Sequence, residues 1–98
     1  MTVTERMLQA SVIKLCELFG IAWYHTHDSR RSNKGWPDLA IVGKRGFITR
    51  ELKAASGRLT PEQQRWGLML RTVGVSWDVW RPGDLESGRI QRELRAIR

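Results

Sequence analysis

Three residues of unlike chemistry sit at the ends of one apolar ribbon, GWPDLAIVGKRGFITRELK, which runs from Gly35 to Lys53. Asp38 opens its first arm, and Glu51 and Lys53 close its second. Buried carboxylates and ammonium groups are costly unless they are paired or bound to something. A hairpin that needed only to fold would not carry them. If Lys44-Arg45 is a two-residue turn with Gly43 facing Gly46, counting outward sets Val42 opposite Phe47 and Ile41 opposite Ile48. Ala40 then faces Thr49, and Asp38 faces Glu51. Opposed residues share a face, with Cβ atoms about 4.5–5.5 Å apart, and alternation puts Lys53 on that face too. A bulge at Gly46 would slip this register by one and turn Asp38 away.

Two carboxylates that close repel, and one has its pKa raised unless a cation lies between them. A hard divalent ion such as Mg²⁺ suits the gap, because it takes oxygen ligands and keeps several waters. Water bound to it becomes a better nucleophile, and the lysine is placed to orient or polarise that water. A plainer reading stands beside this one. Asp38 would cap a turn after Pro37, and Glu51 and Lys53 would form a surface ion pair, since Glu-x-Lys is a common triplet.

The elements that must position these groups follow from periodicity. Leu8, Val12, Leu15, Cys16 and Phe19 recur at helical spacing between Thr4, a capping residue, and Gly20, a terminator. Ile21 to Tyr24 reads as a short strand, and HTHDSRRSNKG as a polar, basic loop. Asp38–Val42 and Phe47–Lys53 are the hairpin strands, and AASGRLT is a second loop. Thr60-Pro61-Glu62-Gln63 opens a helix with a capping box and proline at its first position. Trp66, Met69, Leu70 and Val73 are its expected buried stripe, and Gly74 its end. Val75–Trp80 reads as a strand, Arg81-Pro82-Gly83 as a turn, and Asp84 to Arg98 as one last helix. The order α-β-β-β-α-β-α describes a small mixed sheet flanked by helices, an α/β domain spanning residues 1–98.

Composition narrows the partners. Seventeen Lys+Arg against ten Asp+Glu leave a net charge of +7, which favours a polyanion: nucleic acid first, an anionic membrane second. The single cysteine, Cys16, excludes an internal disulfide and a cysteine-based zinc cluster within one chain. The start, MTVTERMLQ, lacks the order of a signal peptide, and no apolar run reaches membrane-spanning length. A soluble cytoplasmic protein is expected.

Four features in order, Gly-Trp-Pro-Asp-Leu, Glu-Leu-Lys, Leu-Thr-Pro-Glu-Gln and a late Trp-Arg-Pro, make the chain resemble the VRR-NUC family. These are the virus-type replication-repair nucleases of the PD-(D/E)xK superfamily. The likeness extends from about Thr4 to Trp80. It implies a restriction-endonuclease-like core in which Asp38, Glu51 and the Leu52 backbone carbonyl hold Mg²⁺ or Mn²⁺. Lys53 would be the catalytic lysine. Glu5 on the first helix would reach the metal directly or through water, and Gln63 would match a glutamine of the site. Glu5 and Gln63 also have local roles, as a first-turn acid and as a capping residue. Gln9, one turn beyond Glu5, shares its face and is an alternative to it.

The implied activity is metal-dependent endonucleolytic hydrolysis of DNA, with four-way (Holliday) junctions as the leading substrate and a homodimer as the working unit. Flap- or nick-directed cutting and a non-catalytic basic DNA binder are the alternatives. The resemblance also implies a bacterial cell, with a phage or prophage gene as a source.

Other residues are weighed on their own chemistry. Arg30, Arg31 and Lys34 lie just before the Gly-Trp-Pro-Asp segment, where a basic loop would grip phosphates; Trp36, Lys44 and Arg58 join them as expected DNA contacts. His25, His27 and Asp28 read as a polar loop mouth rather than a transition-metal site. Arg89, Arg92, Arg95 and Arg98 form a row opposite Ile90, Leu94 and Ile97, suited equally to DNA and to plain solvation. Arg50 departs from the family pattern, and alternation sends it away from the acids, to a sheet edge or to DNA.

Overall fold

The computed structural model describes residues 2–26 and 33–98. The chain order is α1 (Glu5–Phe19), β1 (Ala22–His25), β2 (Leu39–Gly43), β3 (Gly46–Leu52), α2 (Pro61–Thr72), β4 (Ser76–Trp80), α3 (Pro82–Glu86) and α4 (Arg89–Ile97). Thr4 caps α1 by accepting from the Met7 amide at 3.1 Å. Gly20 ends it in the left-handed region at φ 69°, where a side chain would be strained. The expected capping box of α2 is present: the Gln63 amide donates to Thr60 Oγ1 at 3.1 Å, and the Thr60 amide donates to Gln63 Oε1 at 2.9 Å.

The four strands stand in the order β1-β2-β3-β4. The first two junctions are antiparallel and the last is parallel, so the sheet is mixed. Gly43 pairs with Gly46, Val42 with Phe47, Ile41 with Ile48, Ala40 with Thr49, and Leu39 with Arg50. This is the register that the two-residue turn requires, with no bulge. The next step outward sets Asp38 across from Glu51.

One face of the sheet carries Leu39, Ile41, Ile48, Leu52 and Trp80. It is covered by Leu8, Val12 and Cys16 of α1 and by Ile90, Leu94 and Ile97 of α4. Each such aliphatic side chain contributes roughly 1.5–3 kcal/mol by leaving water. On the other face α2 lies over Trp77, and the contact is made by Gly67. A Cβ there would sit 2.7 Å from the Trp77 ring, so no larger residue fits without movement.

Three expectations need correction. The last helix is broken in two, because Gly88 sits at φ 83° between α3 and α4. Arg81-Pro82-Gly83 is the entry to α3, with Pro82 at its first position. The buried stripe of α2 is not the one read from its apolar residues: Met69 is 42% and Val73 74% exposed. The helix turns its smallest residue inward to meet the largest side chain beneath it, and so Met69 and Val73 lie outside.

Arg50 is neither at an exposed edge nor free to reach DNA. It is 5% exposed on the α1/α4 face, donating to Glu93 Oε1 from Nη2 at 2.8 Å and from Nε at 3.3 Å. Its guanidinium lies 5.1 Å from the centre of the Trp80 ring.

Candidate active site

Asp38 lies one residue before β2, and its Oδ2 accepts from the Leu52 amide at 2.7 Å. That bond ties the acid to the far end of β3. The Asp38 carbonyl also accepts from the Thr26 amide at 3.1 Å, and Thr26 Oγ1 donates to the Pro37 carbonyl at 3.2 Å. The Pro-Asp corner is therefore held from both sides.

Glu51, the next-to-last residue of β3, is 2% exposed. Its Oε2 accepts from Gln63 Nε2 at 3.2 Å, while Oε1 is buried with no donor. Its pKa is pushed up to about 10, first by burial and then by the hydrogen bond and charge of Asp38; Lys53 opposes the rise and the charge of Glu5 adds to it. One carboxyl therefore holds a proton at neutral pH, directed between two groups that are both acceptors when ionised. Lys53 is 8% exposed, with its amide bonded to the Trp80 carbonyl at 3.1 Å.

A cavity of about 420 Å³ opens onto Asp38 and Glu51. Lys34, Gly35 and Trp36 also line it, together with Thr60, Glu62 and Gln63 from the start of α2 and with Thr26. Gly35, at φ 91°, leans against α2 so closely that a Cβ would lie 2.4 Å from the Glu62 carbonyl carbon. Trp36 meets Trp66 edge-on, with ring centres 5.1 Å apart. The loop after Lys53 is fastened by Arg81, whose Nη1 donates to the carbonyls of Ala54 and Gly57, both at 2.7 Å. Gly57 in turn packs on the Lys53 side chain.

The structure thus brings Asp38, Glu51, Lys53, Gln63, Lys34 and Trp36 to one place. Arg58 is exposed in the adjoining loop. Glu5 stands exposed at the start of α1 and acts on Glu51 through its charge. Among the described residues no three His, Cys, Asp or Glu side chains converge as metal ligands, so Glu5 does not complete a direct set. Leu52 takes part through its amide, as the donor that fixes Asp38. Gln9 is half-buried on α1. Lys44 is at the turn, the opposite end of the ribbon from the acids. Arg30, Arg31, His27 and Asp28 lie outside the described residues.

Sequence reasoning missed Thr26, Gly35, Glu62 and Arg81. A glycine directly before Trp-Pro-Asp and an arginine inside Trp-Arg-Pro were the available signals, but neither indicates which distant backbone it meets.

The donors suit a hard divalent ion. They are the carboxylate oxygens of Asp38 and the buried Glu51, with the ammonium groups of Lys53 and Lys34 nearby. A soft metal is disfavoured by the lack of a thiolate here, since the only cysteine is buried in α1.

No family model matches the sequence, and no curated protein matches it. A solved VRR_NUC domain protein is similar in structure, with a TM-score of 0.75 and 22% sequence identity. The match covers 98% of this chain and 92% of that one. The fold is that of a VRR-NUC domain.

Proposed function

We propose that the chain is a metal-dependent, structure-specific DNA endonuclease that hydrolyses phosphodiesters in four-way junctions. The observation that carries the reading is the acidic pair itself: Glu51 Oε1, buried and without a donor, beside Asp38 and within the field of Lys53. Two acids forced to share one buried proton are costly, and a cation between them relieves the repulsion.

Asp38 and Glu51 would hold Mg²⁺ or Mn²⁺, with the Leu52 carbonyl as a further oxygen and Glu5 reaching it through water. The ion supplies charge neutralisation and an acidified water when bound. The chain's own groups do the rest. Gln63 fixes the Glu51 carboxylate, the Leu52 amide fixes that of Asp38, and Lys53 orients the attacking water or stabilises charge on the phosphoryl oxygens. Lys34, Arg58, Arg30 and Arg31 contact the backbone of the DNA, and Trp36 contacts the substrate from the cavity lining.

A junction is resolved by two symmetric cuts, and one chain carries one acidic pair. A two-fold dimer provides the second. The sheet offers a surface for it: Tyr24, Val42 and Phe47 share the face opposite the core and are 63%, 50% and 44% exposed. An uncovered apolar strip of this kind fits a self-complementary contact.

The test is a cleavage panel of junctions, flaps, nicked and plain duplex and single strands, with Mg²⁺ or Mn²⁺. Wild type should cut junctions most rapidly. Asp38→Asn should lose at least about 10³-fold in rate, on the scale of removing an electrostatic catalytic group, while still binding the same DNA. Preference for flaps or nicks would replace the junction assignment, and cutting by Asp38→Asn at the wild-type rate would remove the site. Binding without cleavage of any substrate would leave only a basic DNA binder.

A further inference from the structure

The hairpin turn and the end of α4 meet at the pole of the molecule remote from the acidic pair. Two glycines permit the meeting. A Cβ on Gly43 would overlap the Ile97 carbonyl, and one on Gly46 would lie 2.8 Å from the Ile97 side chain. Neither Lys44 nor Arg45 has positive φ, so the turn is not of the primed type that suits a two-residue hairpin. It is instead held from outside, by the Arg45 amide donating to the Ile97 carbonyl at 3.0 Å.

This docking sets Lys44 and Arg45 beside the last turn of α4. There Arg95 and Arg98 both stand over the Phe19 ring, 5.6 and 5.3 Å from its centre. All four cations are exposed, and none takes part in the ion pairs found among the described residues. Phe19 holds two guanidinium groups at once and so limits their freedom. Gathering like charges that no ion pair among the described residues neutralises works against folding, and it suits an anionic partner.

We infer that Lys44, Arg45, Arg95 and Arg98 form a second phosphate-gripping surface, which binds a stretch of DNA other than the one entering the acidic cavity. This rests on the nucleic-acid reading above and extends it to substrate architecture. The five residues of β2 separate the two poles by about 17 Å, and α4 lies on the face of the sheet opposite Glu51. Two arms of a branched molecule can reach the two surfaces separately.

Charge complementarity favours nucleic acid over an anionic membrane. Arginine forks match phosphates in pairs, and four exposed cations gathered at one pole fit the regular phosphate spacing of a nucleic-acid backbone.

The experiment measures binding of a four-way junction by anisotropy, without divalent metal, across a salt series. Arg95→Gln/Arg98→Gln should weaken binding about tenfold at low salt and reduce the slope of log K against log salt by about 2, one unit for each phosphate no longer neutralised. Lys44→Gln/Arg45→Gln should do the same and serves if the first variant melts early. A matched control, Lys14→Gln/Arg65→Gln, removes equal charge elsewhere and should leave the slope unchanged. An equal loss in the control, or an unchanged slope in both pole variants, overturns the proposal. So does a loss confined to phosphatidylserine–phosphatidylcholine vesicles with DNA binding intact. If wild type cuts no DNA yet the pole variants lose slope, the pole stands and the nuclease reading falls.

Discussion

Glu51 and Glu93 are both glutamates drawn out of bulk water, on opposite faces of the same sheet, and the fold treats them in opposite ways. Burial drives both towards the protonated form. At Glu93 the neighbours win: hydrogen bonds from Arg50 and Trp80 Nε1, the charge of Arg50 and a bond from Arg89 hold its carboxyl below the usual range. Three of the contacts are short, with Arg50 Nη2 at 2.8 Å, Trp80 Nε1 at 3.0 Å and Arg89 Nε at 2.6 Å. Arg89 continues the network to Asp78 at 2.7 Å and Asp84 at 3.3 Å. At Glu51 the nearest strong neighbour is another acid, and one oxygen receives nothing. A buried carboxylate that already has its cations is architecture. One that lacks them is a receptor for a cation.

The contrast is most open to attack at Arg50. Replacing it with alanine leaves Glu93 short of its principal partner, and such half-removed buried pairs cost about 3–5 kcal/mol. Glu93 keeps Trp80 and Arg89 and is partly exposed, so the lower end is expected, about 3 kcal/mol by urea denaturation. The double change Arg50→Met/Glu93→Leu should recover most of that loss, since neither charge is then left alone. A double variant as unstable as the single would mean that stacking on Trp80, not charge pairing, is what Arg50 contributes.

The second test sets pH against the same pair of acids. In metal-free protein Glu51 binds its proton more tightly folded than unfolded, so its contribution to stability is complete below about pH 4.5. It is lost as pH rises towards 10. The melting midpoint should therefore fall as pH rises from 6 to 9, and Glu51→Gln should flatten that fall. Saturating Mg²⁺ should do so in wild type, because the ion takes the place of the proton and releases it. Glu93 has the opposite sign: its contribution is present above the unfolded pKa and is lost in acid. Glu93→Gln should leave the alkaline slope as it was.

These contrasts also mark what the sequence can convey. The hairpin was legible because its signals are local and agree: two glycines bracket a two-residue turn, and alternation then fixes every pair out to Leu39 and Arg50. Helix caps at Thr4 and Thr60 were legible for the same reason. Glu93 was not, because its partner Arg50 is 43 residues away and nothing at either position names the other. Nor was the inward face of α2, where apolar residues at helical spacing outvoted Gly67. A glycine inside a helix is a clue to close packing, but it does not say against what. In the site, residues on one strand pair followed from register, whereas Thr26, Gly35 and Glu62 arrive from elements whose approach depends on tertiary packing. The split at Gly88 was masked by a continuous amphipathic pattern on both sides of it.

The smallest effect expected is also the one that separates two roles of one side chain. Gln63 accepts from the Thr60 amide through Oε1 and donates to Glu51 through Nε2, so a single amide closes the capping box and steadies the buried acid. Gln63→Glu keeps the cap, since a glutamate accepts equally well there, but removes the donor and adds a third acid to the pair. Gln63→Ala removes both. Alanine should cost about 1 kcal/mol of stability, the usual value of a cap. Glutamate should cost little in Mg²⁺ and more without it, because the added charge is then unopposed. Calorimetric unfolding of the two variants with and without Mg²⁺ gives the answer. If the metal changes the stability of both variants and wild type by the same amount, the link from Gln63 to Glu51 plays no part in holding the ion, and its function is confined to starting the helix.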